Sequence, residues 1–159
     1  MSALPDRPNI LYIHSHDSGR YVQPYGYSVP TPNMQLLADQ GTLFRRAFCA
    51  APTCSGSRAA LLTGQHCHNN GMTGLAHRGW ELNDYGQHLV HPLKKAGYRT
   101  ILVGEQHISK DPGVIGYDEV RRLDSNLAGL VAPSALDAMS NAQEPFFMSI
   151  GFFETHRDF

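Results

Sequence analysis

At 159 residues with 42% hydrophobic content, the chain is long enough for one buried core and too short for two ordinary domains. Thirteen basic against fourteen acidic side chains give a net charge of -1, which excludes nucleic acid and anionic membrane as partners drawn by a long-range field. Met1 to Asn9 (MSALPDRPN) lacks the features of an export signal, and nowhere do eighteen apolar residues run together, so the chain as given reads as cytoplasmic.

Asn9 to His14 (NILYIH) is a nearly continuous apolar run, as expected of a strand covered on both faces, and it ends at the polar segment Ser15-His16-Asp17-Ser18-Gly19. Thr31-Pro32, then NMQLLADQ and Gly41, spells an N-cap, a first-turn proline, an amphipathic helix and a terminal glycine. Leu43 to Phe48 suggests a short extended piece. Ser57 to Thr63 predicts a helix stopped by Gly64, with Cys54 just ahead of its start. A further helix should end at Lys94-Lys95-Ala96-Gly97, with Pro92 forcing a late start or a kink. Arg99 to Val103 (RTILV) predicts a buried strand, followed by a Gly/Asp/Pro-rich loop. Pro133 to Asn141 predicts a helix, and Pro145 to Phe153 (PFFMSIGFF) is the most hydrophobic strand candidate.

Alternating strands and helices predict an α/β domain with a largely parallel sheet. Functional groups in such sheets gather beyond the carboxyl ends of the strands. Three of those ends carry polar clusters: His16-Asp17, Gly104-Glu105-Gln106-His107, and Glu154-Thr155-His156-Arg157. Nine histidines are many for this length, and imidazole in turn contexts is common metal or acid-base equipment. Three cysteines without zinc-type spacing argue against a disulfide framework. Cys49 and Cys67 read as structural. Cys54, in Ala51-Pro52-Thr53-Cys54-Ser55-Gly56-Ser57-Arg58, has small residues and an arginine at a helix entrance, where free N–H groups hold an oxyanion. Asp17 at a strand end suits a hard divalent cation or, more plainly, a turn cap.

Cys54 to Arg58, continuing as Ala59-Ala60-Leu61-Leu62-Thr63-Gly64, resembles the sulfatase signature C-x-P-x-R with its A-x-L-L-T-G helix. Asn9-Ile10-Leu11, Thr31-Pro32-Asn33, Gly97-Tyr98-Arg99-Thr100 and the G-x-x-H segment Gly104 to His107 extend the resemblance over nearly the whole chain. It implies the N-terminal part of an alkaline phosphatase/sulfatase-like catalytic domain over residues 1–159, with helices on both sheet faces and the C-terminal remainder absent. It also implies oxidation of Cys54 by a formylglycine-generating enzyme. The formylglycine hydrate would attack sulfur and expel sulfate by collapsing to the aldehyde.

By the same resemblance Asp17, His16 and Cys54 hold a divalent metal, Ca2+ in the family's usual pattern. The imidazole of His16, at a position where the family has an aspartate, suits Mn2+, Zn2+ or Fe2+ better. Arg58 would hold the sulfate, His107 would take the proton when sulfate is expelled, and His156 would donate one to the leaving group. Gly64 to Leu75, with Phe146-Phe147 and Thr155-His156-Arg157, is similar to the heparan N-sulfatase branch, which makes a sulfated sugar or an aryl sulfate the expected substrate. Gly56 replaces the family's usual proline or alanine, and Glu105 replaces a sulfate-binding lysine. Glu105 should turn away, bind near the metal, or mark weakened catalysis. The alternatives are a phosphatase or phosphonate monoester hydrolase of the same superfamily, and a catalytically incomplete fragment.

Overall fold

The computed structural model describes residues 7–156. Four strands, β1 (Ile10–His14), β2 (Arg99–Gly104), β3 (Glu119–Arg121) and β4 (Phe146–Gly151), form one sheet in the order β1-β4-β2-β3. Every pairing is parallel. All six residues of the central strand β4 are buried, which is why PFFMSIGFF reads as an unbroken apolar run.

Alternation along β2 and β4 feeds two cores. Phe147 packs with Ala59, Leu62, Met72, Val90 and Ile108 on one face, while Ile101, Val103, Phe146, Met148 and Ile150 pack with Val131, Ala135 and Ala138 on the other. The first face is covered by α2 (Cys54–Thr63) and α4 (Val90–Lys95), the second by α5 (Ala128–Asn141). Helices on both faces of a parallel sheet are therefore what forms. The helix α1 (Pro32–Gln40) follows Thr31 as its N-cap, and the one-turn helix α3 (Cys67–Asn70) follows α2.

Five elements differ from expectation. Among the described residues, strand β1 is an edge strand covered on one face only, with Leu11 and Ile13 exposed. Helix α2 begins at Cys54, because Thr53 is extended and its carbonyl already accepts from Ser57 N at 2.9 Å, so the thiol sits inside the first turn. Helix α5 begins five residues before Pro133 and carries that proline within it. The lost hydrogen bond is offset by burial of Val131, Ala135 and Ala138, and Glu154 Oε1 accepts from Ala128 N at 2.8 Å at the helix entrance. Strand β3 lies within the stretch read as loop, held beside β2 by pairings such as Leu102↔Val120. Residues 43–48 form no strand; Phe44 and Phe48 are exposed, so no partner supports an extended piece.

His14, Gly104 and Gly151 stand in one row across β1, β2 and β4. The segments leaving those strands therefore start level with one another. Gly151 is packed so closely that a Cβ would come within 1.9 Å of the Glu105 carbonyl oxygen. Only glycine lets the two segments run this near.

Candidate active site

Three strand ends and one helix entrance meet above that row. His16 follows β1 and is 1% exposed; its backbone is locked between the loops, with N donating to Glu154 O at 2.7 Å and O accepting from Thr155 N at 2.7 Å. His107, in the left-handed region at φ 55°, brings Nδ1 to 3.3 Å from His16 Nε2. Asp17, also left-handed at φ 53°, holds Oδ1 3.2 Å from His16 Nδ1 and Oδ2 3.8 Å from His156 Nε2. Left-handed non-glycine residues are uncommon, and here both fall on predicted site residues.

Cys54 opens onto a cleft of about 470 Å3 lined by His14, Ser15, His16, Asp17 and Arg58 among others. Arg58 lies one turn further along α2. Its Nη1 donates to His14 Nδ1 at 2.6 Å and its Nη2 to the Ser15 carbonyl at 3.3 Å. The structure thus gathers Cys54, Arg58, His16, Asp17, His107 and His156 around one place. Arg157 of the last cluster lies outside the described residues.

Burial, reinforced by Arg58, keeps the imidazoles neutral. His14 is pushed down to about 3, first by desolvation and then by the Arg58 charge. His16 is lowered by burial and by Arg58, partly opposed by Asp17. His107 is lowered by burial, partly opposed by Glu105. Neutral imidazoles can accept a proton or ligate a cation, and Arg58 is left as the fixed positive charge beside Cys54.

Glu105 resolves in favour of turning away. Its Oε2 accepts from Asn126 Nδ2 at 3.0 Å and its Oε1 from Gln106 N at 3.0 Å, toward a separate hollow beyond β2. Gly56 is buried, and a Cβ there would meet Ala51 Cβ and Met72 O at 3.1 Å and Cys67 Sγ at 3.2 Å. Cys67 thus fills the space that a side chain at position 56 would need.

Several partners escaped the sequence reading. His14, which receives Arg58, shares the inward face of β1 with Ile10 and Tyr12, a period-2 signal that could have exposed it. His77, whose Nδ1 lies 3.0 Å from His107 Nε2, sits in a short 3-10 turn after an irregular stretch, where no periodicity marks it.

The metal expectation can be tested against the donors. Among the described residues, the buried His16 Nδ1 has the Asp17 carboxylate, 3.2 Å away, as its polar neighbour. The ligand atoms of His16, Asp17 and His156 lie within 4.8 Å of one another, as do those of His16, Cys54 and His107. Such sets fit a divalent cation. Among the described residues they combine imidazole nitrogen with the Asp17 carboxylate or the Cys54 thiol.

Comparison with known proteins adds an independent line. The family model described as Sulfatase matches residues 8–159. Human N-sulphoglucosamine sulphohydrolase is 31% identical over 159 residues, covering 94% of this chain and 32% of that protein. The arylsulfatase of Klebsiella aerogenes is 32% identical over 127 residues, covering 74% of this chain and 27% of its own length. A solved 2-O GAG sulfatase superposes with a TM-score of 0.75 at 23% identity, covering 95% of this chain and 36% of that one. The chain thus spans about a third of the length of these relatives.

Proposed function

The chain belongs to the sulfatase family, and on that premise we propose that it forms the nucleophile-bearing part of a hydrolase of sulfuric esters or sulfamates. The observation that carries this reading is the gathering of Cys54, Arg58, His107, His156, His16 and Asp17 at one level above the sheet. Family membership implies a divalent metal and a formylglycine. In this reading a formylglycine-generating enzyme oxidises Cys54, and the modified side chain supplies the nucleophilic oxygen.

The chain's own residues set the stage for that oxygen. The first turn of α2 directs unpaired N–H groups and a positive dipole end at the Cys54 position. Arg58, anchored on His14 and the Ser15 carbonyl, adds a full positive charge with fork geometry suited to a sulfate's oxygens. Two unit charges about 4 Å apart interact by about 4 kcal/mol at an effective dielectric near 20, so one arginine is a large share of anion recognition. His107 stands within reach of both His16 and His77, placed to accept a proton on the Cys54 side of the site. His156 lies on the Asp17 side, placed to protonate a leaving group. A divalent cation held by Asp17, His16 and the Cys54 side chain would polarise the sulfate and reduce the charge repelling a nucleophile.

The human relative's name points to a sulfamate on glucosamine and the bacterial one to aryl sulfates, so a sulfated sugar or an aryl sulfate is the substrate class proposed here. The test is parallel turnover of an aryl sulfate and an aryl phosphate by protein co-expressed with a formylglycine-generating enzyme. Preferential sulfate release, abolished in Cys54→Ala, supports the reading. Phosphate release at an equal or greater rate overturns it.

A further inference from the structure

His107 has two ring nitrogens, and each meets another imidazole. Nδ1 lies 3.3 Å from His16 Nε2, and Nε2 lies 3.0 Å from His77 Nδ1. The two contacts differ in quality. The ring centres of His77 and His107 are 5.3 Å apart and their planes 21° apart. With the nitrogens at 3.0 Å, that separation is reached only when both nitrogens lie on the line joining the ring centres, so a lone pair and an N–H meet in line. His16 stands further off and is tilted by 47°.

The backbone holds both partners in place. Ala76, the residue before His77, donates its N–H to Ser55 Oγ at 3.0 Å, and Ser55 is the buried neighbour of Cys54 in α2. The turn Ala76–Arg78 is closed by Gly79 N, which donates to Ala76 O at 3.0 Å. The helix that carries Cys54 therefore also anchors the turn that presents His77. On the other side, Glu105 N donates to Gly151 O at 2.9 Å, and Gln106 Oε1 accepts from Ile108 N at 2.6 Å and from Ser109 N at 3.0 Å. With its loop tied on both sides, His107 keeps rotation of its ring as its main freedom. An in-line partner at Nε2 stops that rotation, because half a turn would put carbon where both nitrogens now stand.

The direction of the hydrogen bond follows from tautomer chemistry. A neutral histidine carries its proton by preference on Nε2, the nitrogen remote from its own backbone, and the bond made by one nitrogen settles the state of the other. With His107 Nε2–H donating to His77 Nδ1, both rings hold that preferred form, and the exposed His77 turns its own Nε2–H to water. The reverse order puts both rings in the less favoured form.

We propose that His77 is a positioning residue for His107, accepting its Nε2–H and so keeping His107 Nδ1 a bare acceptor where the Cys54 and His16 side chains gather. His77 acts through His107, as the third group that orients a base does elsewhere. The inference rests on the reading of His107 as proton acceptor, since only a bare Nδ1 can take a proton on that side. The contact to His16, longer and less aligned, is the one that gives way to it.

The experiment is histidine ring 15N NMR of the 159-residue chain at about pH 8, where neutral imidazoles show protonated and bare nitrogens as distinct signals. His107→Gln and His77→Leu assign the two rings. The expected result is a protonated Nε2 and a bare Nδ1 on His107, a bare Nδ1 on His77, and a scalar coupling between His107 Nε2 and His77 Nδ1. His77→Asn, whose side-chain oxygen can accept in place of Nδ1, should keep the single His107 tautomer. His77→Leu should lose it, with His107 signals moving to the average of two forms. His77 is exposed, and each variant's melting transition confirms an intact fold. A protonated Nδ1 on His107 in the natural chain overturns the proposal, as does a His107 tautomer unchanged in His77→Leu. These signals are read without turnover, so failure of sulfate release bears on the reading alone, and a reversed His107 tautomer beside intact sulfate release overturns the inference alone.

Discussion

Substituting His88 should flatten the acid side of the stability curve by an amount the structure fixes. His88 is fully buried in the core between α4 and the loop carrying Tyr117, and its Nδ1 accepts from Val90 N at 3.2 Å. The proton must therefore sit on Nε2, which has no hydrogen-bond partner among the described residues. A second proton would land on Nδ1, facing an N–H. Burial, with a smaller push from His91, accordingly brings the group down to about 4 from an ordinary 6.5. Above pH 6.5 both folded and unfolded chains carry a neutral His88, and its contribution is fully present. As pH falls from 6.5 toward 4 the unfolded chain takes up a proton that the folded chain refuses, so stability is lost, at about 1.4 kcal/mol per pH unit. Between pH 7 and pH 5 this one residue should account for about 2 kcal/mol. Urea denaturation of the natural chain and of His88→Leu at both pH values measures it directly. The two proteins should differ in their pH 7 to pH 5 change by that amount, with the variant less acid-sensitive. Equal pH dependence in the two would refute the reasoning.

Other outcomes follow from contacts already described. His14→Gln should reduce acid sensitivity in the same sense, since His14 is held at about 3 and its loss is read in the same denaturation series. Gly56→Ala gains roughly 1 kcal/mol of helix propensity but must displace Ala51, Met72 and Cys67 atoms at 3.1–3.2 Å, a strain of roughly 1–3 kcal/mol. Net destabilisation is expected, and Cys67→Ala in the same chain should relieve the part due to the Sγ contact, giving a non-additive double-mutant cycle. Glu105→Lys should cost roughly 1–2 kcal/mol by stripping Asn126 and Gln106 N of their acceptor, whereas Glu105→Gln, which can still accept, should cost less by thermal denaturation. Phe147→Ala, in the buried strand β4, should destabilise by roughly 3–5 kcal/mol.

Much of this architecture was readable because burial and capping leave local marks. The apolar runs RTILV and PFFMSIG are strands buried within a parallel sheet, NILYIH is a strand but an edge strand whose Leu11 and Ile13 are exposed, and Thr31-Pro32 and Gly64 are true helix boundaries. What failed was decided by tertiary contact. Pro133 looked like a helix start, but packing on Ile101 and Phe146 carries α5 through it. Strand β3 is three residues long and exists through its pairing with β2, so no periodicity could announce it. Strand-end reasoning pointed to His16, Asp17, His107 and His156, and the helix entrance pointed to Cys54; the ligand atoms of His16, Cys54 and His107 cluster, as do those of His16, Asp17 and His156. Neither signal reached His77, which joins the cluster only because a loop folds back over His107.

The central claim is that Cys54 is the precursor of the nucleophile, and mass spectrometry of the Cys54 peptide tests it most directly. In protein co-expressed with a formylglycine-generating enzyme, the account predicts an aldehyde at position 54 that reacts with a hydroxylamine probe. Cys49 and Cys67 should remain thiols. An unmodified thiol at Cys54 in every preparation would contradict it.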